Sequence, residues 1–292
     1  MTQVQGVYAA AITPRGNHGD IDFGASFELI DFLCKGGVSG IALCSSAGEY
    51  AALSDTDRSR LVYLAVKRSR VPVLAGVGSA TLDGSLALAR EARDAGVAGV
   101  LLPPPHFLPY DQDDLREFYL QFADHIGDGV ATYISRLPGD NSNLQPETAR
   151  ELLATRRFAG IELALRGIEP VNEWTILAAD DAQIVAARSA GARAVLSGGA
   201  CAVPELLAQL DRAITVHDET RTRELDSRLQ EFLGWVRQFP LPAILKIATG
   251  LRGLKTGPLS APLPAAKAKK CDEFRAWFAD WLPVTKKLAA NG

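Results

Sequence analysis

Short apolar runs recur along the chain, each preceded by small residues. Four of them read Gly-Ile-Ala-Leu-Cys at 40–44, Gly-Val-Leu-Leu-Pro at 99–103, Gly-Ile-Glu-Leu-Ala at 160–164 and Ala-Val-Leu-Ser at 194–197. Runs of this length without alternation of apolar and polar residues are typical of strands buried on both faces, as in a parallel sheet covered by helices. The pattern therefore predicts repeated β/α units.

The number of such runs decides between two parallel folds. We mark eight strands, with amphipathic segments between most of them, at residues 7–14, 40–46, 71–78, 99–104, 129–135, 160–165, 174–179 and 192–198. Eight strands with their helices predict an α/β protein built as a (β/α)8 TIM barrel. The alternative is a doubly wound open sheet. That fold typically carries a glycine-rich phosphate-binding turn after its first strand, and residues 13–17 do not have this motif.

The pattern changes after about residue 211, where long amphipathic segments replace the short runs. Segments 218–239, 242–251 and 272–282 predict three helices, separated by Pro240 and by the proline-containing stretch 257–264. We therefore divide the chain into a (β/α)8 barrel at 1–213 and a C-terminal three-helix appendage at 214–292. Its tryptophans, Trp235, Trp277 and Trp281, are interpreted as core anchors, with a subunit contact as the alternative.

Composition and charge exclude several classes of partner. A net charge of -3 and a pI near 5.9 provide no basic field for nucleic acid or an anionic membrane surface. No apolar run reaches the length of a membrane span, and we expect no signal peptide, so a cytoplasmic protein is predicted. The four cysteines and four histidines lack the spacing of a zinc site or a disulfide framework. We predict no metal and no cofactor.

In a (β/α)8 barrel the reactive groups lie at the carboxyl ends of the strands. After the second strand the chain reads Ser45, Ser46, Ala47, Gly48 and Glu49. Small residues let the backbone N–H groups of such a loop point into a concavity that suits a carboxylate or a phosphate. An ordinary polar loop is the alternative.

The sixth strand carries Glu162 inside an apolar run. A buried carboxylate costs several kcal/mol unless it is paired, hydrogen-bonded or neutral. Glu162 is therefore a functional candidate, and the alternative is a structural pair with Arg136 or Arg166. Tyr133 on the fifth strand is interpreted either as a proton relay or as a residue that fills the barrel.

Two further loops carry candidate residues. The stiff proline-rich loop 103–109 positions His106 and Phe107, or merely spans a gap. Asp180 and Asp181 end the seventh strand, where an N-cap of the next helix is the simpler interpretation.

Taken together, these motifs bring out a family resemblance. Their order along the chain resembles that of the dihydrodipicolinate synthase / N-acetylneuraminate lyase family. The motifs that carry the resemblance are Thr-Pro at 13–14, the 45–49 loop, the proline-rich loop, Tyr133, Gly-Ile at 160–161, Asp-Asp at 180–181 and Ser-Gly at 197–198 with Pro204. The resemblance covers the whole chain, including residues 241–246. It implies a class I aldolase or lyase, often tetrameric, that condenses pyruvate with an aldehyde, cleaves in the reverse direction, or dehydrates a sugar acid.

The resemblance also implies roles for individual residues. In the family the loop after strand two holds the carboxylate of a 2-oxo acid, and its first hydroxyl joins a proton relay with the strand-five tyrosine; Ser46 and Tyr133 match these places. Ala47 lacks the second hydroxyl, and the further tyrosine of the family relay is represented by Phe107 or Tyr110. We predict Tyr133, Glu162 and Ser46 as catalytic residues, and a substrate-binding set of Ser45, Ser46, Ala47, Gly48, Glu49, Phe107, Arg136 and Leu196.

One departure from the family pattern matters most. The family places a lysine after Gly-[Ile/Val] on strand six, where its amine forms a Schiff base with the substrate carbonyl, and this chain has Glu162. A carboxylate cannot form an iminium. The other lysines, at 35, 67, 246, 255 and from 267 onward, are not expected at a strand end that faces the mouth. Residues 166–173 are also too short for the full helix that the family has there.

Three functions are compatible with this sequence. The first is a protein that binds a small 2-oxo acid, as a sensor, scaffold or regulatory subunit, without Schiff-base chemistry. The second is a lyase of altered mechanism, an aldolase or sugar-acid dehydratase, in which Glu162 and Tyr133 act as acid and base. The third is a divalent-metal aldolase with Glu49, Glu162, Asp180 and Asp181 as ligands. In each case we expect a homo-oligomer, dimer or tetramer.

Overall fold

A closed eight-stranded barrel forms the body of the protein. The computed structural model describes residues 4–106, 108–136, 144–164 and 174–290. The strands are parallel and pair in sequence order, and β8 pairs with β1 to close the barrel. They are β1 (Gly6–Ala10), β2 (Gly40–Leu43), β3 (Val73–Gly76), β4 (Gly99–Leu102), β5 (Thr132–Arg136), β6 (Gly160–Leu163), β7 (Thr175–Ala178) and β8 (Ala194–Ser197).

The predicted (β/α)8 barrel is confirmed, although every strand is shorter than the segment marked in the sequence. Most of the difference lies at the carboxyl ends, where the chain leaves the sheet and forms the mouth. The outer helices are α1 (Phe23–Lys35), α2 (Asp55–Arg68), α3 (Leu82–Ala95), α4 (Gln112–Ile126), α5 (Pro146–Ala154), α6 (Ile184–Ser189) and α7 (Pro204–Thr215). Residues 165–173, where the sequence predicts no full helix, lie outside the described residues.

Local capping explains where several outer helices begin. Asp22, Ser54, Thr81 and Asp111 precede α1 to α4, and each accepts a hydrogen bond from a backbone N–H in the first turn. A side-chain acceptor at this position satisfies donors that have no partner within the helix. The first residues of these four helices are therefore set by local sequence.

Aromatic rings fill the barrel below its mouth. Tyr8 and Tyr133 are buried in one inner cluster with Leu74, Leu101, Leu177 and Leu196. Glycines opposite the rings make the space: a Cβ at Gly40 would lie 2.0 Å from the Tyr8 ring, and one at Gly99 would lie 2.8 Å from the Tyr133 ring. The lower interior of the barrel is therefore packed and apolar.

Three helices follow the barrel: α8 (Glu219–Val236), α9 (Leu241–Leu251) and α10 (Ala265–Ala290). The expectation that the last helix spans 272–282 is wrong, because α10 begins directly after Pro264 with alanines and lysines, which favour helix, and continues past Pro283. Trp281 is buried, stacks on Phe232 and donates its Nε1–H to Glu231 at 2.8 Å.

A segment between α9 and α10 returns to the barrel mouth. We call residues 253–260 the strap. The backbone N–H of Arg15, in the loop after β1, donates to Thr256 O at 3.2 Å. Gly257 has a φ of +70°, and a Cβ there would lie 1.8 Å from Arg15 O, so this close approach requires glycine. The appendage is thereby fastened to the loops of the first two strands.

Membrane-spanning segments were sought in the same residues. Across 4–106, 108–136, 144–164 and 174–290, no helix combines the length and apolar character needed to cross a bilayer.

Candidate functional site

A small cavity lies where the carboxyl ends of β2 to β6 converge. The volume in which the centre of a water molecule fits is about 20 Å³. The total empty volume, including the part open to solvent, is about 340 Å³. The narrow part has room for about one ordered water. The lining residues are Cys44, Ser45, Ser46, Tyr50, Gly76, Gly78, Leu101, Pro103, Ser135 and Glu162. We call this space the mouth cavity.

Glu162 stands in the β6 wall of the mouth cavity. Its neighbours in the strand, Ile161 and Leu163, belong to the core outside the barrel, so alternation turns the Glu162 side chain inward. Glu162 is paired in register with Ser135 of β5, and it is only 4% exposed. Glu162 also has an interaction with another part of the protein. It is therefore a buried acid that faces the space in which a ligand would bind.

The loop after β2 forms the opposite wall. Residues Ser46–Gly48 make a 3-10 turn, and Ser45 precedes it without capping it. Of the backbone N–H groups in this loop, those of Gly48 and Glu49 donate to Ser45 O and Ser46 O. Those of Ser46 and Ala47 have no acceptor in the described part of the chain, nor does the buried Ser45 Oγ find a partner there. Ser45 and Ser46 line the mouth cavity and Ala47 does not, so the Ser45 hydroxyl and the Ser46 N–H are the donors of this loop at the cavity wall.

Glu49, at the end of the same loop, does not line the mouth cavity. Its Oε1 lies 2.6 Å from the Lys246 Nζ of α9, and the two side chains are 5% and 3% exposed. Its Oε2 accepts hydrogen bonds from Ser260 of the strap, the backbone one at 2.8 Å and a second from the hydroxyl. Lys246 also donates to Pro258 O at 2.8 Å. Glu49 is therefore a buried tether between the β2 loop and the appendage.

The pKa values of this pair reflect burial opposed by attraction. Burial raises the pKa of Glu49, but the hydrogen bonds and the charge of Lys246, with the donors of Ser260, outweigh it and hold the pKa below its usual value. Burial lowers the pKa of Lys246, and Glu49 opposes that shift. The Lys246 amine is thus held by the Glu49 carboxylate and by Pro258 O of the strap.

Arg58 is a site residue that the sequence analysis missed. It is 4% exposed on α2, and its guanidinium donates to Gly78 O at 2.9 Å and to Gly76 O at 3.0 Å. Its guanidinium carbon also lies 5.1 Å from the centre of the Tyr50 ring. Burial raises the pKa of the Cys44 thiol to about 11, although Arg58 acts against the shift. Arg58 therefore braces one wall of the mouth cavity, and Cys44 stays protonated near neutral pH.

A sequence signal for Arg58 exists. Residues 58, 61, 62 and 65 recur at helical spacing, and all four are buried on α2. An arginine in an otherwise apolar helical stripe indicates a buried cation with several acceptors.

The structure separates Tyr133 from Glu162. Tyr133 is paired with Gly160, two residues earlier on each strand than the Ser135–Glu162 pair, and its ring packs into the lower cluster beside Gly99. Tyr133 is not among the residues that line the mouth cavity. Burial raises its pKa. Ser46 and Glu162 are thus brought to the same cavity, and Tyr133 lies below it.

The remaining predicted residues lie apart from the mouth cavity or outside the described residues. Leu196 belongs to the lower cluster with Tyr133. The Arg136 Nε donates to Leu144 O at 2.6 Å, so this side chain is directed along the β5 exit. His106 packs edge-on against Tyr50, with ring centres 6.0 Å apart. Phe107 is not among the described residues.

The four acids proposed as metal ligands have separate roles. Asp180 accepts from Ala182 N at 3.0 Å as an N-cap. Asp181 is half-buried, its Oδ2 accepts from Gly199 N at 2.8 Å, and the shielding of its carboxyl group from solvent raises its pKa to about 6. In the ranges that the structure describes, no three His, Cys, Asp or Glu side chains are grouped as a metal site. The geometry does not favour the metal-aldolase alternative.

The lysines can be assessed completely, because none falls on an undescribed residue. The chain has nine lysines, all within 4–106 and 174–290, and none of them lines the mouth cavity. Among the described residues, the polar side chains on its walls are hydroxyls, a thiol and the Glu162 carboxyl.

Comparison with known proteins gives one consistent result. A family model described as the dihydrodipicolinate synthetase family matches residues 3–279. The 4-hydroxy-tetrahydrodipicolinate synthase of Sorangium cellulosum is 30% identical over 281 residues, which cover 91% of this chain and 93% of that protein. The structure of the synthase from Methylacidiphilum fumariolicum SolV superposes with a TM-score of 0.88 at 24% identity and covers 98% of this chain and 99% of that one.

A second enzyme class shares the fold. A Ruminococcus gnavus sialic acid aldolase, solved as a catalytic lysine mutant, has a TM-score of 0.85 at 21% identity and covers 96% of this chain and 97% of its own. The match of the family model across almost all of the sequence is decisive: the chain belongs to the dihydrodipicolinate synthetase family.

Proposed function

We propose that this protein binds a small 2-oxo acid, such as pyruvate, at the mouth cavity and forms no Schiff base with it. The observation that carries this proposal is the composition of the cavity. Glu162 faces it from β6, and none of the nine lysines reaches it.

The β2 loop supports the binding of a carboxylate. On the cavity wall, the Ser46 N–H and the buried Ser45 hydroxyl have no acceptor within the described residues. Gly48 keeps this part of the backbone close to the β1 end, because a Cβ there would lie 2.9 Å from Ala11 O. Backbone donors in such a turn bind anions without a positive side chain. Glu49 and Lys246 hold the loop in place from behind.

The chemistry of Glu162 supports the loss of Schiff-base catalysis. Only an amine nitrogen can condense with a ketone to give an iminium that acts as an electron sink. The related sialic acid aldolase has, by the description of its structure, a catalytic lysine. At the position where the sequence resemblance places that lysine, this chain has a carboxyl group, which cannot form an iminium.

A lyase of altered mechanism is the second candidate, and one observation favours it. Ser135 and Glu162 are register partners on the wall of one cavity, so a buried acid lies beside a hydroxyl that can pass a proton to a ligand. Tyr133, the partner expected from the family resemblance, packs in the lower cluster instead. In this form of the hypothesis the hydroxyl of Ser135 or Ser46 takes the place of Tyr133.

Borohydride trapping tests the proposal directly. Wild-type protein is incubated with pyruvate and sodium borohydride, and its intact mass is measured; we expect no pyruvyl adduct. The Glu162→Lys variant is the positive control, because it returns an amine to the β6 wall and is expected to give the adduct. A trapped adduct in the wild type would overturn the loss of Schiff-base chemistry, and the absence of pyruvate binding in a calorimetric titration would overturn the binding proposal.

We further propose that the protein is a homo-oligomer, that it is located in the cytoplasm and that it uses no cofactor. They follow from family membership and from the composition of the chain, and light scattering of the purified protein measures the first of them.

A further inference from the structure

A second cavity lies at the end of the barrel opposite to the mouth. It is bounded by the end of α6, by residues 191–193 directly before β8, by the end of α7 and by the first turns of α8. Because the strands are parallel, residues that directly precede a strand lie at the amino ends of the sheet, away from the mouth. We call this space, between Ser189, Arg193, Thr215 and Arg223, the floor cavity.

The floor cavity is much larger than the mouth cavity. The volume in which the centre of a water molecule fits is about 630 Å³, against about 20 Å³ at the mouth. Small-molecule sites commonly have volumes of about 300–1,000 Å³ and walls that are largely apolar. Val185, Ala192 and Ile214 form an apolar part of the wall, so the body of a ligand can be shielded from water there.

Arg188 holds the wall of the floor cavity together. Its Nε lies 2.8 Å from Oδ1 of Asp211 on α7, and both side chains are half-buried. Its guanidinium also donates to Ala192 O at 2.6 Å and to Arg193 O at 2.9 Å. These contacts join the ends of α6 and α7 to the residues before β8. The charge of Arg188 is matched by Asp211, so this arginine is a structural member of the wall.

Two other arginines of the floor cavity have no carboxylate partner. Arg193, before β8, and Arg223, on α8, are exposed residues of the lining, and neither forms an ion pair with the part of the chain that the structure describes. The Arg223 Nε donates to the backbone oxygen of Glu219 at 3.2 Å. Glu219 is the one acid among the described lining residues, and it is exposed. Two unmatched positive charges therefore face one negative charge in an otherwise partly apolar space.

The chemistry of these two arginines favours a phosphate. A guanidinium presents its N–H donors in a planar fork that matches two phosphate oxygens, and a phosphate monoester carries up to two negative charges. We infer that the floor cavity binds a small organic phosphate, with the phosphate on Arg193 and Arg223 and an apolar body against Val185 and Ile214. This is a second ligand site, separate from the mouth cavity, and it does not depend on the proposed function.

Three ligands separate the two parts of this recognition. Phenyl phosphate has the anion and an apolar body, inorganic phosphate has the anion alone, and phenol has the body alone. Each is titrated by calorimetry into the full-length wild-type protein at pH 8, where a phosphate monoester is a dianion. We expect phenyl phosphate to bind at least about tenfold more tightly than either fragment, because it uses both the arginines and the apolar wall. An affinity no greater than that of a fragment, or no binding, would overturn the inference.

Charge variants assign the binding to the floor cavity. Arg193→Gln and Arg223→Gln are each expected to weaken phenyl phosphate about tenfold, because each removes a charge-assisted hydrogen bond. Glu219→Gln removes a negative charge from the lining and is expected to strengthen binding. Arg212→Gln is the matched control, since Arg212 is an exposed arginine of α7 that is not part of the lining, and we expect unchanged affinity. Equal losses in all three arginine variants would indicate attraction to overall charge and would contradict the site.

Pyruvate distinguishes the two cavities. Because the floor cavity lies at the other end of the barrel, saturating pyruvate is expected to leave the affinity for phenyl phosphate unchanged. Strict competition would place phenyl phosphate in the mouth cavity and overturn the inference. If pyruvate itself does not bind, the proposed function fails, and the phenyl phosphate series and its variants still decide the inference.

Discussion

Two buried glutamates on opposite sides of the barrel mouth show how differently one residue type is used. Glu49, behind the β2 loop, is held by Lys246 and Ser260 and has no access to the mouth cavity. Glu162, on β6, lies on the cavity wall beside Ser135. Burial is nearly the same in both, so burial alone does not identify a functional acid. What distinguishes them is position: Glu49 pairs with Lys246 behind the loop, whereas Glu162 lines the cavity.

The comparison is instructive because the chain has a buried lysine after all. Lys246 has the lowered pKa expected of a buried amine, yet its Nζ contacts Glu49 and Pro258 O behind the loop. The amine supports the loop from outside the mouth cavity, and the acid stands inside it.

The largest expected effect comes from breaking the tether. Lys246→Met leaves Glu49 as a buried charge without its cation, and removal of one partner of such a pair costs about 3–5 kcal/mol of unfolding free energy. Urea denaturation measures the loss. The double variant Lys246→Met with Glu49→Gln is expected to regain most of it, because no unpaired charge remains. A single variant as stable as the wild type would show that Glu49 is not the buried charge described here.

Asp181 provides a third case, a half-buried acid without a cationic partner among the described residues. Burial raises its folded-state pKa from 3.8 to about 6, so the stability it contributes is fully present below pH 3.8 and is lost as the pH rises through about 6. Asp181→Asn, which keeps an oxygen for Gly199 N–H, is expected to be about 1–3 kcal/mol more stable than the wild type at pH 7. Denaturation at pH 7 and pH 4 measures the difference, which should shrink at the lower pH. An equal difference at both values would contradict the titration.

Glu49 responds to pH in the opposite direction. Its folded-state pKa is lowered below 4.5, so its contribution is present above pH 4.5 and is lost as the pH falls through the folded-state value. As the pH falls, Asp181 therefore raises the free energy of unfolding while Glu49 lowers it. In the Asp181→Asn variant only the decrease due to Glu49 remains.

The smallest expected effect is on ligand affinity, and it compares the mouth cavity with the apolar cluster below it. Ser45→Ala removes a donor from the cavity wall and is expected to weaken pyruvate binding about tenfold or less. Tyr133→Phe acts in the lower cluster and is expected to leave that affinity unchanged. Calorimetric titration of both variants gives the comparison. A larger loss of pyruvate affinity in Tyr133→Phe than in Ser45→Ala would show that Tyr133 contributes to ligand binding.

The sequence was informative where the signal is local. Repeated buried strands predict the barrel, and a single acid inside an apolar run marks Glu162 as unusual. The Glu49–Lys246 contact joins residues far apart in the chain, so no local pattern predicts it. The depth of Tyr133 depends on which residues of β5 and β6 are register partners, and a shift of two residues along a strand keeps the same face but changes the level.

The strap has a consequence for how the protein can be divided. A boundary near residue 213 separates the chain into a sheet-containing part and a helical part, but excision of the helical part would also take away Lys246, Ser260 and the glycine that meets Arg15. The loop beside the first opening of the barrel would then lose its outer support, with an acid stranded in its base. The helical tail is thus part of the framework around the mouth cavity, and the barrel segment does not support that loop alone.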